Sequence, residues 1–197
     1  MKNRPTHRVF LSFVMLLAAL FGAACGPGPY GYARYYTPTK VEKPFFEQAE
    51  KHPYRVVAAT PDKYQDIVLA WFGIVQTITA TKDGLYLIHL SHNKQKERHL
   101  CDGESSSSCR VTVHYKSTGN FSTITSLKPA EVKPGLDRVQ PGTLMLIYGK
   151  VQCDKSADEQ LRCAYDDHGG LLLKSVYYRQ WPARYYVTTR AAEALRR

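Results

Sequence analysis

Apolar positions along this chain follow two different patterns. Residues 9–24 form one continuous apolar run, broken only by Ser12 and small residues. At 16 residues the run is short for a membrane-spanning helix, which needs about 20, and suits the core of a signal peptide. From Tyr54 onward the apolar residues come in short runs rich in Val, Ile, Leu, Tyr and Thr, many alternating with polar neighbours. A period of two predicts strands, at 54–58, 67–79, 85–92, 110–117, 143–152 and 171–180. In the fifth, Leu144, Leu146 and Tyr148 alternate with Met145, Ile147, Gly149 and Val151, so both faces are apolar. That predicts a strand covered on both sides.

Turn residues punctuate these runs. Lys82-Asp83-Gly84 is a tight hairpin signal, and the serines at 105–108 and the proline-rich stretch 128–142 read as loops. Residues 26–43 are rich in Pro, Gly and Tyr, lack any helical or strand period, and read as a tether. Residues 44–51 fit a short helix with Phe45, Phe46 and Ala49 on one side, ended by Pro53. The expected division is a signal peptide at 1–24, then lipidated Cys25, tether and short helix at 25–53. A barrel domain at 54–190 and a basic tail at 191–197 follow.

The strands predict a mainly β fold, a small barrel of five or six strands. Gly73 falls inside a long first strand, where a barrel strand bends between two sheets. Trp71-Phe72-Gly73-Ile74-Val75, followed later by Pro141-Gly142-Thr143 and Gly149-Lys150-Val151, resembles the OB-fold, which carries an early G-x-V and a later PG…G-x-V on its first and fourth strands. The resemblance implies a closed barrel that binds ligands through one face and its loops.

Gly22-Ala23-Ala24-Cys25, directly after the apolar run, resembles the lipobox of bacterial lipoproteins. It departs from the usual pattern by having Gly22 in place of leucine. The resemblance implies cleavage after Ala24 and lipidation of Cys25, hence attachment to a membrane through the N-terminal lipid. Each buried methylene contributes about 0.8 kcal/mol to such anchoring. Gly26 in place of aspartate implies the outer membrane, facing the periplasm or the cell surface. Lipobox and tether, then Tyr54-Arg55-Val56-Val57-Ala58, Pro61, Tyr64, Phe72-Gly73-Ile74-Val75 and the aromatic strand 175–181, resemble the Slp-type starvation lipoproteins over about residues 20–181. Four further cysteines and two long polar inserts depart from that family. The resemblance implies location and fold, and carries over no catalytic residues.

Charge narrows the partners. The formal net charge is +10, and loss of Lys2, Arg4 and Arg8 with a signal peptide leaves about +7. Cys101, Cys109, Cys153 and Cys163 are an even set, which in an exported chain predicts two disulfides. The local pairing, Cys101 with Cys109 and Cys153 with Cys163, brackets two polar inserts. The rival reading is a zinc site, but no spacing is C-x-x-C.

No nucleophile elbow, phosphate-binding loop or zinc-protease motif is present. The leading expectation is therefore a non-enzymatic envelope lipoprotein with no cofactor, whose barrel binds an envelope protein or an anionic glycan. An alternative is a binding module for an anionic polymer or lipid, with nucleic acid disfavoured by the compartment. Basic residues interleaved with rings supply the candidate ligand-binding set: Lys94, Lys96, Arg98, Tyr177, Arg179 and Trp181. A second alternative is a metal-dependent hydrolase in which His114 approaches His89 beside Asp166, Asp167 and His168. The bland reading of 166–170 is a turn, and His92 points to the opposite face from His89.

Overall fold

A computed structural model describes residues 32–96, 98–101, 109–155, 161–167 and 169–190. Its centre is a barrel of five strands: β2 (Leu69–Ala80), β3 (Tyr86–Gln95), β5 (Cys109–Thr125), β6 (Leu144–Val151) and β9 (Leu171–Trp181). β2 pairs antiparallel with β3 and β6, and β3 pairs antiparallel with β5. β9 pairs antiparallel with β6 and parallel with β5, which closes the ring. Numbered within the barrel, the order is 1-2-3-5-4-1 with a single parallel pair. This is the OB-fold, whose closure leaves no open edge among the five strands.

Short elements decorate the ring. β1 (Tyr32–Tyr35) and β4 (Arg98–Cys101) extend one end of β5, and β10 (Tyr186–Thr188) runs parallel to the same stretch. β7 (Cys153–Lys155) and β8 (Leu161–Cys163) form a separate hairpin. The helices are α1 (Lys43–Gln48), α2 (Tyr54–Ala59) and α3 (Pro129–Val132). Among the described residues no helix is long and apolar enough to cross a membrane.

Strand alternation feeds two cores. Trp71, Val75, Met145, Ile147 and Val151 face the barrel interior with Leu90, Phe121 and Leu171. Their neighbours Phe72, Leu144, Leu146 and Tyr148 face outward into a second cluster with Trp181, Phe45 and Phe46. β6 is accordingly buried on both faces, as its sequence predicts. Gly73 matters through close approach. A Cβ there would lie 2.8 Å from Leu90 Cβ and 2.9 Å from the Phe121 ring, so the strands cross tightly where the first strand was expected to bend.

Three expectations need correcting. Residues 54–58 are helical: α2 lies between Pro53 and Pro61, and the latter holds Thr60 out of the helical region. Tyr54, Val57 and Ala58 share the face against the barrel core while Val56 is exposed, so the period is helical. The strand expected to end at Ser117 runs on to Thr125. Two register shifts beside it, around Asn93, accommodate the bend. Finally, the stretch read as tether carries β1 and then Glu42, which is fully buried. The signal peptide, Cys25 and the tail at 191–197 lie outside the described residues.

Candidate binding cleft

The strap formed by residues 32–42 is held to the barrel by one buried carboxylate. Arg179 Nη1 on β9 donates to Glu42 Oε2 at 3.0 Å, and Tyr148 Oη on β6 donates to Oε1 at 2.8 Å. The Tyr36 hydroxyl also donates to Oε1, and the Thr39 amide to Oε2 at 3.1 Å. Burial, then the Glu42 carboxylate, pushes both tyrosine hydroxyls above their ordinary range, so they stay protonated donors. The Arg179 guanidinium stacks over Trp181 at 4.8 Å.

That attachment shapes a cleft of about 780 Å³ between the strap, the segment 51–55 and the adjoining parts of β2 and β3. Its volume falls in the range of small-ligand sites, roughly 300–1,000 Å³. Trp71, Phe72 and Tyr148 form the buried floor; Tyr35, Phe46 and Tyr54 provide more accessible rings. Lys51, Arg55 and Lys94 are exposed at its margin, and no acidic residue lines it among the described residues. Lys51 Nζ lies 5.3 Å from the Phe46 ring.

His92 sits in this wall with Nδ1 2.5 Å from Thr118 Oγ1. Burial pulls its pKa down to about 4, so the ring is neutral at pH 7. It is a neutral polar group among cations. The register shifts at Asn93 explain why consecutive residues His92 and Asn93 are both buried. No simple alternation pattern foretells that.

The sequence-derived ligand set divides. Lys94 lines the cleft, and Lys96 is exposed beyond it. Burial first, then the charges of Lys96 and Lys94, lowers the pKa of nearby His114. Arg98 pairs through its backbone with Tyr35; its side chain lies outside the described residues. Tyr177 stacks on Phe45 with centroids 4.7 Å apart, Arg179 is tied to Glu42, and Trp181 is packed against Phe72. The last three hold the N-terminal segment against the barrel. The cleft residues that sequence reasoning missed are Lys51, Arg55 and the rings around them. The composition of 51–55 carries the signal, but its local pattern is that of a helix end running into a strand.

The hydrolase constellation does not assemble as expected. His89 faces Ser122 across the sheet, while His114 lies further back along β5, near where Val113 faces Gln95. His89 does meet Asp166, with Nδ1 2.8 Å from Oδ2. Ser122 Oγ donates to that same oxygen at 2.5 Å, and the Gly170 amide donates to Oδ1 at 2.8 Å. In a nucleophilic triad the imidazole stands between hydroxyl and carboxylate. Here one ring nitrogen, His89 Nδ1, meets both the Asp166 carboxylate and, at 3.1 Å, Ser122 Oγ, and the hydroxyl itself bonds the carboxylate, so the imidazole does not bridge between them and the group clamps a turn. His168 lies outside the described residues, and among the described residues no three His, Cys, Asp or Glu converge on a metal position.

Cys153 and Cys163 are disulfide-bonded across β7 and β8, the local pairing expected. The backbones of Cys101 and Cys109 are opposite in register; their side chains lie outside the described residues.

No protein family and no curated protein matches the chain. Among solved structures, the protein priB from Ralstonia solanacearum is similar over 58% of this chain and 97% of its own, at 14% identity and a TM-score of 0.27. The strand order of the barrel is by itself that of the OB-fold.

Proposed function

We propose that this protein is a non-enzymatic, lipid-anchored envelope lipoprotein of the outer membrane whose OB barrel binds a partner in the cleft beside the strap. The carrying observation is the cleft itself, with rings on its floor and walls, cations at its margin and no acid among its described lining. Such a surface favours binding over chemistry: it offers stacking, apolar contact and charge. A glycan partner suits it better than a flat protein surface, because the site is concave and of small-ligand volume. The anchoring half of the reading is supported by the lipobox-like Gly22-Ala23-Ala24-Cys25, and the Slp-type resemblance points to the same compartment.

One experiment on whole cells tests both halves. A photo-crosslinking residue is placed at Tyr35, on the cleft wall, and as a control at Lys174, exposed on β9. Fatty-acid labelling is followed in the same strains with and without Cys25→Ser. The expected result is label lost with Cys25→Ser, and capture of an envelope component from Tyr35 but not from Lys174. Label retained in Cys25→Ser overturns the anchor. Equal capture from both positions overturns the cleft.

A further inference from the structure

We infer that the cleft selects an acidic sugar, a pyranose unit bearing a carboxylate or a phosphate. This rests on the binding reading above and specifies its ligand class. Lys51, Arg55 and Lys94 come from two separate segments and meet at one cleft. Among the described residues none of the three has a carboxylate partner. The acids nearest Lys51 in sequence are committed elsewhere: Glu50 Oε2 lies 2.7 Å from His52 Nε2, Glu47 pairs with Lys43, and Glu42 is buried on Arg179; Glu97, near Lys94 in sequence, lies outside the described residues. Three cations around a concavity with apolar walls focus a positive potential into it, stronger than the same charges spread over a convex surface.

Charge alone fits any anion, and the rest of the lining narrows the choice. Tyr35, Phe46 and Tyr54 present rings against which the apolar face of a pyranose can stack. At the back of the cleft the Thr118 hydroxyl, bonded to the buried ring of His92, supplies an uncharged polar group for a sugar hydroxyl. A track for single-stranded nucleic acid needs a basic groove running several nucleotides with successive open rings. Here the cations gather at one cleft, and Trp71, Phe72 and Tyr148 on its floor are buried. The cleft is larger than one pyranose, so an acidic ring fits together with its neighbouring sugars.

The full chain, purified in detergent, is titrated calorimetrically with glucuronic acid, glucose 6-phosphate, glucose, inorganic phosphate and oligothymidylate. At least one acidic sugar is expected to bind, with glucose and inorganic phosphate each weaker by about tenfold or more. Raising salt from about 50 to about 500 mM should weaken acidic-sugar binding several-fold, since the charges are exposed. The triple variant Lys51→Gln, Arg55→Gln, Lys94→Gln should lose about tenfold or more of that affinity with its melting temperature kept, whereas Lys174→Gln should lose none. The two acidic sugars separate carboxylate from phosphate recognition. Glucose binding as well as the acidic sugars overturns the acidic class and leaves the cleft reading standing. So does inorganic phosphate matching glucose 6-phosphate, which removes the sugar. Oligothymidylate binding more tightly than either sugar replaces the class with nucleic acid. If no probe binds while the Tyr35 crosslinker captures a protein, the sugar class falls and the cleft stands. If no probe binds and nothing is captured, both fall.

Discussion

Arg179 Nη1 donates to Glu42 Oε2 at 3.0 Å, joining the last barrel strand to a strap 137 residues earlier in sequence. Glu42 is fully buried, while the Arg179 side chain keeps 30% of its exposure. Removing one partner of a buried ion pair costs roughly 3–5 kcal/mol, because the other charge is left uncompensated. Arg179→Met should fall somewhat below that, at about 2–3 kcal/mol, since water already reaches the guanidinium and two tyrosine hydroxyls still bond the carboxylate. The decisive measurement is a double-mutant cycle with Glu42→Gln in urea denaturation. Coupling of about 1 kcal/mol or more is expected, and additivity within roughly 0.5 kcal/mol would mean the strap is held by its rings alone.

Gly119 lies under the ring of Tyr54, whose hydroxyl donates to the Asn120 carbonyl at 2.6 Å. A Cβ at 119 would fall 2.0 Å from Tyr54 Cε1, so Gly119→Ala must displace the ring and the start of α2. Such overpacking costs about 1–3 kcal/mol. The cause can be isolated. In a Tyr54→Ala background the ring is gone, and Gly119→Ala should cost less than half as much by thermal melts. An undiminished cost would place the strain in the β5 backbone.

The barrel was legible in the sequence because β-strand alternation is local. β2, β3 and β9 carry it, β6 shows itself as an unbroken apolar run, and Gly73 marks where two strands touch. The rest of the structure is set by tertiary contact. Tyr54-Arg55-Val56-Val57-Ala58 has strand-forming residues, yet two prolines and a core-facing spacing of three and four make it a helix. Glu42 lies in the stretch whose composition reads as a tether. Only the distant Tyr148 and Arg179 make its burial tolerable, and no local pattern announces them. For the same reason Arg179 and Trp181 read as ligand groups: a basic residue beside a ring has the same sequence appearance whether it meets a ligand or a neighbouring segment.

The disulfide between Cys153 and Cys163 closes a sequence separation of 10 around the β7–β8 hairpin. In the chain-entropy model a loop of that length contributes roughly 2–3 kcal/mol. Both cysteines also pack against the barrel core, so opening the bond should be felt beyond the hairpin. Cys153→Ser with Cys163→Ser is expected to lower the urea-unfolding free energy by about 2 kcal/mol or more. A loss under about 0.5 kcal/mol would show that the hairpin is only loosely coupled to the barrel.

His92 should make the fold acid-labile in a defined window. Burial lowers its pKa from 6.5 to about 4, and Trp71, Tyr54 and Phe121 surround the ring. Between those two values the unfolded chain binds the proton and the folded chain does not. Stability therefore falls as pH drops from about 6.5 to about 4, and this group adds no further loss below that. At 1.36 kcal/mol per unit the deficit is on the order of 3 kcal/mol at the acid end. His92→Gln keeps a neutral polar group that does not titrate. Relative to wild type it should be less stable at pH 7, where it loses the fitted ring and the Thr118 contact, and should recover ground as pH falls to 4.5. Urea melts of both proteins at pH 7.0, 5.5 and 4.5 read the difference directly. Carboxylates elsewhere titrate in both chains and cancel in that difference. If the two stability curves run parallel across the window, another group carries the acid lability.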